Sequence, residues 1–450
     1  MLYLILKLIY KLGLWVFFRR FEVRNRHLMP DRGPLLVVSN HPNTFMDPIV
    51  TASLLRQPVY FIAKSTLFGS GLQNRMLRQM HLIPIHRRED NPGQAISNEE
   101  AFAASSVALQ QHKTLLIFPE GNSFNQRRLR KIKTGTARIA LEALSAGAAD
   151  LRILPVGLNY TAPTRFRSDV FVNVGEPVAV AEYVAACQQD GQETVLALTE
   201  EIRKRLEGLI IHTPTDEEDE LARQVEILYK GRLAADAPSD APAHLQDFLL
   251  TRAIVSSINY FSQKDPVRVA ALKQKLGDYM EQLRRLRLRD EAMGLRRDTV
   301  LQQSLLRVLF LVLGLPVYGY GLLHNYLPYI IPAKAARAAT HEEEWHAPIM
   351  LTVGIFTFPL FYLLEVWLAR ELLQLSWAWT TLHLLSLPLS GFFTLYYWGT
   401  LRRTREHWLL LRLFVKRQDL VSSLRRQRQE IVTELEAAKA DYLAQASPDS

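Results

Sequence analysis

Near its C-terminal end the chain runs for about fifty residues almost without charge: 349–368 carries only Glu365, and 376–399 contains no Asp, Glu, Lys or Arg. A helix rises about 1.5 Å per residue and the hydrocarbon core of a bilayer is about 30 Å thick, so each stretch is long enough to cross one. Their spacing predicts an antiparallel membrane hairpin. A third apolar segment, 305–331, is longer, but Pro316 and Gly319-Tyr320-Gly321 interrupt it, which predicts a kinked span or a re-entrant dip. Arg402, Arg403 and Arg405 follow the last stretch at once. Cationic flanks tend to stay in the cytoplasm, and two full spans return these arginines to the side they started from, whereas three do not. The expectation is therefore two spans, 349–368 and 376–399, with the preceding region facing the cytoplasm.

The rest of the chain reads differently. Of its 450 residues, 54 are Lys or Arg against 45 Asp or Glu, a formal charge of +9 that suits anionic lipid headgroups, phosphorylated substrates or nucleic acid. Cys187 is the only cysteine, which excludes an intrachain disulfide and fits a reducing compartment. Residues 1–18 are apolar except for Lys7 and Lys11, four apart and hence on one side of a helix. That side is expected to face water or headgroups, making 1–20 an interfacial helix. Phe17-Phe18-Arg19-Arg20 stands where a secretory signal would need small residues for cleavage.

From 21 to 212 short apolar runs alternate with longer helical stretches, the pattern of a helix-covered, mixed and largely parallel sheet in an α/β domain. The predicted strands are 34–39, 59–63, 82–85, 114–118, 153–157 and 170–175, and the predicted helices 66–79, 92–112, 134–146 and 194–209. Residues 213–303 read as a linker followed by a basic helical region, with an acidic run at 216–220 and an Ala, Asp, Pro and Ser-rich stretch at 234–243. Residues 304–400 form the membrane region and 401–450 a charged C-terminal helix, with apolar residues at Leu420, Leu424, Ile431 and Leu435 spaced for packing.

The first predicted strand ends in Ser39-Asn40-His41-Pro42-Asn43-Thr44-Phe45-Met46-Asp47-Pro48. A His and an Asp close together suit general-base chemistry: imidazole removes a proton from an attacking hydroxyl, and a carboxylate on the other ring nitrogen fixes the tautomer. A structural His–Asp hydrogen bond would give the same pattern. Another strand ends in Phe118-Pro119-Glu120-Gly121-Asn122-Ser123, where ligands of open α/β sheets gather, followed by Arg127, Arg128, Arg130, Lys131 and Lys133. Arg87 and Arg88 stand after 82–86 and could clamp a phosphate or serve as surface ion-pair residues.

Taken together these segments resemble the glycerolipid acyltransferase family, whose members share four ordered blocks. Here the blocks are His41 to Asp47; Ile85-His86-Arg87; Phe118-Pro119-Glu120-Gly121-Asn122-Ser123; and Leu154-Pro155-Val156-Gly157, with Lys133-Thr134-Gly135 similar to a further family element. The resemblance covers residues 15–210. It implies that His41 is the base and Asp47 its partner, that Arg87, Glu120, Gly121 and Lys133 hold the acceptor or shape the site, and that Pro155 belongs to the acyl side. Five residues separate His41 from Asp47, one more than the usual family spacing, which resembles a subgroup including fungal enzymes that act on glycerol 3-phosphate or dihydroxyacetone phosphate.

The reaction so implied moves a fatty acyl group from acyl-CoA or acyl carrier protein, as co-substrate, to a glycerol-phosphate acceptor or lysophosphatidic acid. It calls for no metal and no other cofactor, and for membrane lipids rather than nucleic acid as partner. The alternative is a catalytically silent, lipid-binding scaffold of the same fold.

Overall fold

Leu35–Ser39 is buried at every position, as a strand inside a sheet covered on both faces must be. Around it the computed structural model, which describes residues 2–69, 71–86, 98–186, 191–236 and 243–446, assembles an eight-stranded sheet. The strands are β1 (Arg20–Arg24), β2 (Leu35–Ser39), β3 (Val59–Lys64), β4 (Leu82–Ile85), β5 (Thr114–Ile117), β6 (Arg152–Tyr160), β7 (Asp169–Val174) and β8 (Val178–Ala179). Their order is β1-β7-β6-β2-β5-β3-β4, with β8 beside β6. Every pairing is parallel except those of β6 with β7 and with β8, so the sheet is mixed and largely parallel, as the sequence pattern implies. Among the described residues seven α-helices accompany it: α1 (Leu2–Phe17), α2 (Met46–Leu54), α3 (Leu72–Gln79), α4 (Glu99–Gln110), α5 (Gly135–Ser145), α6 (Val180–Ala186) and α7 (Gln192–Leu209).

Two apolar cores lie on the two faces of this sheet. On one, Leu36, Val38, Leu115, Ile117 and Ile153 pack with Ile139 of α5 and Leu198, Ile202 and Leu206 of α7. On the other, Leu35, Val37, Leu116, Leu154, Val156 and Leu158 pack with Leu14 and Phe17 of α1 and Met46 and Val50 of α2. The alternation along β2 and β6 sorts the residues, because successive strand side chains point to opposite faces.

The chain divides into two compact units, Met1–His212 with Pro332–Ile355, and Thr213–Ile331 with Phe356–Ser450. The second is helical: α8 (Asp216–Asp236), α9 (Ala243–Lys264), α10 (Pro266–Arg285), α11 (Asp290–Met293), α12 (Arg297–Ala339), α13 (His346–Leu373), α14 (Trp377–Lys416) and α15 (Gln418–Ala446), with α12 and α13 extending beyond it. Among the described residues two helices are long and apolar enough to cross a membrane, Arg297–Ala339 and Glu343–Leu373. The stretch 376–399 forms the first part of α14 and presents Leu382, Leu385 and Leu389 outward.

Several expectations are corrected. Β-strand β1 was not anticipated: it is short, carries charge at both ends, and is held by its parallel partner β7 rather than by a local pattern. The helix predicted over 66–79 is divided into a turn of 3-10 helix (Ser65–Leu67) and α3, with Gly69 and Gly71 between them, the latter at φ +59°. The acidic run at 216–220 opens a helix instead of a linker, its carboxylates lying where the helix dipole favours negative charge. On α1, Lys7 turns inward and donates to the Leu55 carbonyl, while Leu4, Leu8, Leu12 and Trp15 are exposed. The helix therefore shows its apolar face outward, the reverse of the expected orientation of Lys7.

Segment 305–331 continues as part of one helix and does not turn back on itself. Gly314 and Gly321 within it serve close packing. A Cβ on Gly321 would lie 2.3 Å from Thr394 Oγ1 and 2.5 Å from the Ser390 carbonyl oxygen, and one on Gly391 would lie 2.7 Å from Asn325 Oδ1, so α12 and α14 approach nearly backbone to backbone. Nearby Asn325 donates to the Leu387 carbonyl and accepts from Tyr362, and Glu365 pairs with His324 at 3.0 Å. Gly321→Leu is expected to force these helices apart and cost roughly 1–3 kcal/mol, read as a fall in thermal midpoint in detergent; an unchanged midpoint would refute the close contact.

Candidate active site

Strands β2 and β5 are parallel neighbours with Val38 opposite Ile117, so the loops leaving their C-terminal ends begin level. Three residues beyond each register partner stand His41 and Glu120, and they meet: the His41 backbone N–H donates to Glu120 Oε1 at 2.8 Å. The second oxygen, Oε2, accepts the Arg130 backbone N–H at 3.0 Å. Glu120 is 8% exposed, and burial pushes its carboxyl above the usual carboxylate range while the amides of Arg130 and His41 pull it back. Both of its oxygens thus tie two loops together.

On the other side of β2, Asn40 continues the pairing with β6 through its side chain, donating from Nδ2 to the Leu158 carbonyl at 2.9 Å and accepting the Leu158 N–H on Oδ1 at 2.7 Å. The backbone is thereby fixed immediately before His41. The ring of His41 stacks on Phe118, centroids 4.0 Å apart and planes at 12°.

The chain then turns through Thr44, whose φ of +29° is unusual for a β-branched residue and whose hydroxyl donates to the Glu344 carbonyl at 2.7 Å. This turn accommodates all five residues of the long spacing and delivers Asp47 to the first turn of α2, 2.8 Å from His41 Nδ1 through Oδ2. The same oxygen accepts the Asn43 N–H at 2.7 Å, and Oδ1 accepts the Tyr160 hydroxyl at 2.8 Å. Asp47 is fully buried. Burial drives its carboxyl upward, and hydrogen bonds from His41, Asn43 and Tyr160 oppose that shift. With an acceptor at Nδ1, the neutral ring keeps its proton there and Nε2 becomes the basic nitrogen.

The His41 side chain, 13% exposed, borders a cavity of about 640 Å³. Most of the wall is apolar: Leu6 and Tyr10 of α1, Ile49 and Ala52 of α2, Phe61 of β3, and Ile349 and Val353 of α13. Polar groups are few, among them Ser123, Lys64 and Lys7. Burial holds the Lys7 ammonium below its ordinary value, and Lys11 adds to that.

Of the residues singled out from sequence, His41, Asp47, Glu120, Gly121 and Lys133 come together at this edge of the sheet. Gly121 has φ +82°, which favours glycine, and a Cβ there would lie 2.6 Å from Lys133 Nζ and displace the lysine that crosses the loop. Pro155 does not join them: it shares the face of Ile153, opposite the cavity, and packs near Gly175. Arg87, Arg88 and Cys187 lie outside the described residues. Sequence reasoning passed over Tyr160, which is 113 residues from Asp47 and carries no local signal. It gave Asn40 and Phe118 no role, although both flank motif positions.

Comparison with known proteins concerns the same part of the chain. Residues 20–159 match the family model described as acyltransferase. An uncharacterised acyltransferase of Schizosaccharomyces pombe is 25% identical over 63% of this chain and 54% of its own length. Glycerol-3-phosphate O-acyltransferases 2 and 1 of Saccharomyces cerevisiae are 28% and 25% identical over 46% and 40% of this chain, and over 27% and 24% of theirs. The match thus spans about half the length of the first curated relative and about a quarter of the other two. A solved lysophosphatidic acid acyltransferase, PlsC from Thermotoga maritima, overlaps 45% of this chain and 79% of its own at 22% identity and a TM-score of 0.32. The similarity to acyltransferases is thus carried by residues 20–159, and the named relatives among them are glycerol-3-phosphate O-acyltransferases.

Proposed function

We propose that the domain transfers a fatty acyl group from acyl-CoA or acyl carrier protein to a hydroxyl of glycerol 3-phosphate, dihydroxyacetone phosphate or lysophosphatidic acid, as a step of glycerolipid synthesis on the cytoplasmic face of a membrane. One observation carries this reading: a His41–Asp47 pair bordering a largely apolar cavity of about 640 Å³. His41 Nε2 takes the hydroxyl proton as the acceptor oxygen bonds to the thioester carbonyl carbon. Collapse of the tetrahedral adduct breaks the carbon–sulfur bond, and the imidazolium returns its proton to the departing thiolate. Asp47 stabilises the imidazolium between these steps. The cavity suits the acyl chain, and the cationic loop with Lys133, together with Arg87, suits the acceptor phosphate.

The outward apolar face of α1 and the two long apolar helices support membrane attachment. Purified protein given labelled acyl-CoA with each acceptor in turn tests the reading. Labelled product from one phosphorylated acceptor is expected, with an acceptor KM that Arg87→Ala raises at least about tenfold. No product from any of them, with CoA or carrier-protein thioesters, would leave the lipid-binding scaffold as the better account.

A further inference from the structure

Tyr160 ends β6 and takes no part in the proton transfers just described. Its side chain is 8% exposed, lies on the same sheet face as Leu154, Val156 and Leu158, and packs against Phe18 with ring centroids 5.9 Å apart. Its hydroxyl reaches Asp47 Oδ1 at 2.8 Å. An ionised carboxylate only accepts, so the phenol must donate. Burial and the negative charge of Asp47 hold the hydroxyl far above its ordinary pKa, so it remains a donor across the working range.

We infer that Tyr160 is a positioning residue for acyl transfer. Occupying Oδ1, it sets the rotation of the Asp47 carboxylate so that Oδ2 faces both His41 Nδ1 and the Asn43 amide, and it stabilises the charge that the imidazolium needs beside it. The two strands flanking β2 thus divide the work: the β5 side fixes the His41 backbone through Glu120, and β6 fixes the Asp47 carboxylate through Tyr160. This rests on the reading of His41 as general base.

A core-filling role is the competing account, and Tyr160→Phe separates the two because it keeps the ring and removes only the donor. Among the described residues the titratable groups that face Asp47 include His41, from the loop after β2, and Tyr160, from β6, and Glu120, from the loop after β5, couples by charge to both His41 and Asp47. Losing a donor from the carboxylate raises the proton affinity of the His41–Asp47 pair, so the acid limb of the pH–rate profile must move to higher pH.

Tyr160→Phe is therefore expected to lower kcat roughly 10- to 100-fold, to leave both KM values within about twofold, and to shift the acid limb of kcat/KM upward by about one unit. Wild-type kcat would overturn the proposal. So would a loss of activity with no movement of the acid limb, or one tracking a fall in thermal stability. His41→Ala in the same assay keeps the two readings apart. If it retains turnover, the general base falls and Tyr160 with it; if it is inactive while Tyr160→Phe is normal, only the Tyr160 role falls.

Discussion

His41→Ala is expected to reduce acyl transfer by roughly 10²- to 10⁴-fold without unfolding the protein. Among the described residues His41 supplies the only imidazole bordering the cavity, and its ring is the one paired with the buried Asp47 carboxylate. The fold should persist because the contact that holds this loop to Glu120 runs through the His41 backbone N–H, which alanine keeps. The variant should thus show an unchanged thermal midpoint and remain in the membrane fraction. Turnover near the wild-type level would remove His41 as base, and with it the chemical reading of the cavity.

Arg428→Ala should have the largest effect on stability, and it concerns the helical unit. Asp290, at the start of α11, is 2% exposed and accepts Arg428 Nε on Oδ1 and Nη2 on Oδ2, both at 2.9 Å. Tyr279 of α10 adds a third hydrogen bond at 2.7 Å, and Arg428 also donates to the Leu228 carbonyl of α8 at 3.3 Å. One ion pair therefore ties α8, α10, α11 and α15 together. Alanine at 428 would strand a buried carboxylate, at a cost of about 3–5 kcal/mol. Replacing both partners with apolar residues, Asp290→Leu with Arg428→Met, should restore much of the loss, since the penalty comes from the orphaned charge more than from the missing attraction. Chemical unfolding of the three proteins checks this, and a single replacement as stable as the wild type would show that the pair is solvated.

The two sites differ in how much of each could be read in advance. His41, Asp47, Glu120 and Gly121 were legible because each sits in a short motif at the end of a predicted strand, and parallel strands place their C-terminal ends on one edge. Six of the strands were legible from apolar runs between polar turns. The ion pair of Asp290 and Arg428 was not, since 138 residues separate them and both lie in strongly charged stretches that read as solvated helix. Lys7 misled for a related reason: a lysine on an apolar helix reads as water-facing, yet it found the Leu55 carbonyl inside the domain.

By itself the sequence determined the alternation of strand and helix in the first two hundred residues, the apolar length of the later helices and the motif loops, because these depend on local periodicity and on residue chemistry. Only tertiary structure decided which oxygen of Asp47 faces His41, that Tyr160 holds the other, that Pro155 stands on the far face of the sheet, and that glycines inside an apolar segment mark helix contact rather than a break. Each of those depends on register between elements distant in the chain. A one-residue change of register turns a strand side chain to the opposite face, and no local pattern records which partner will be there.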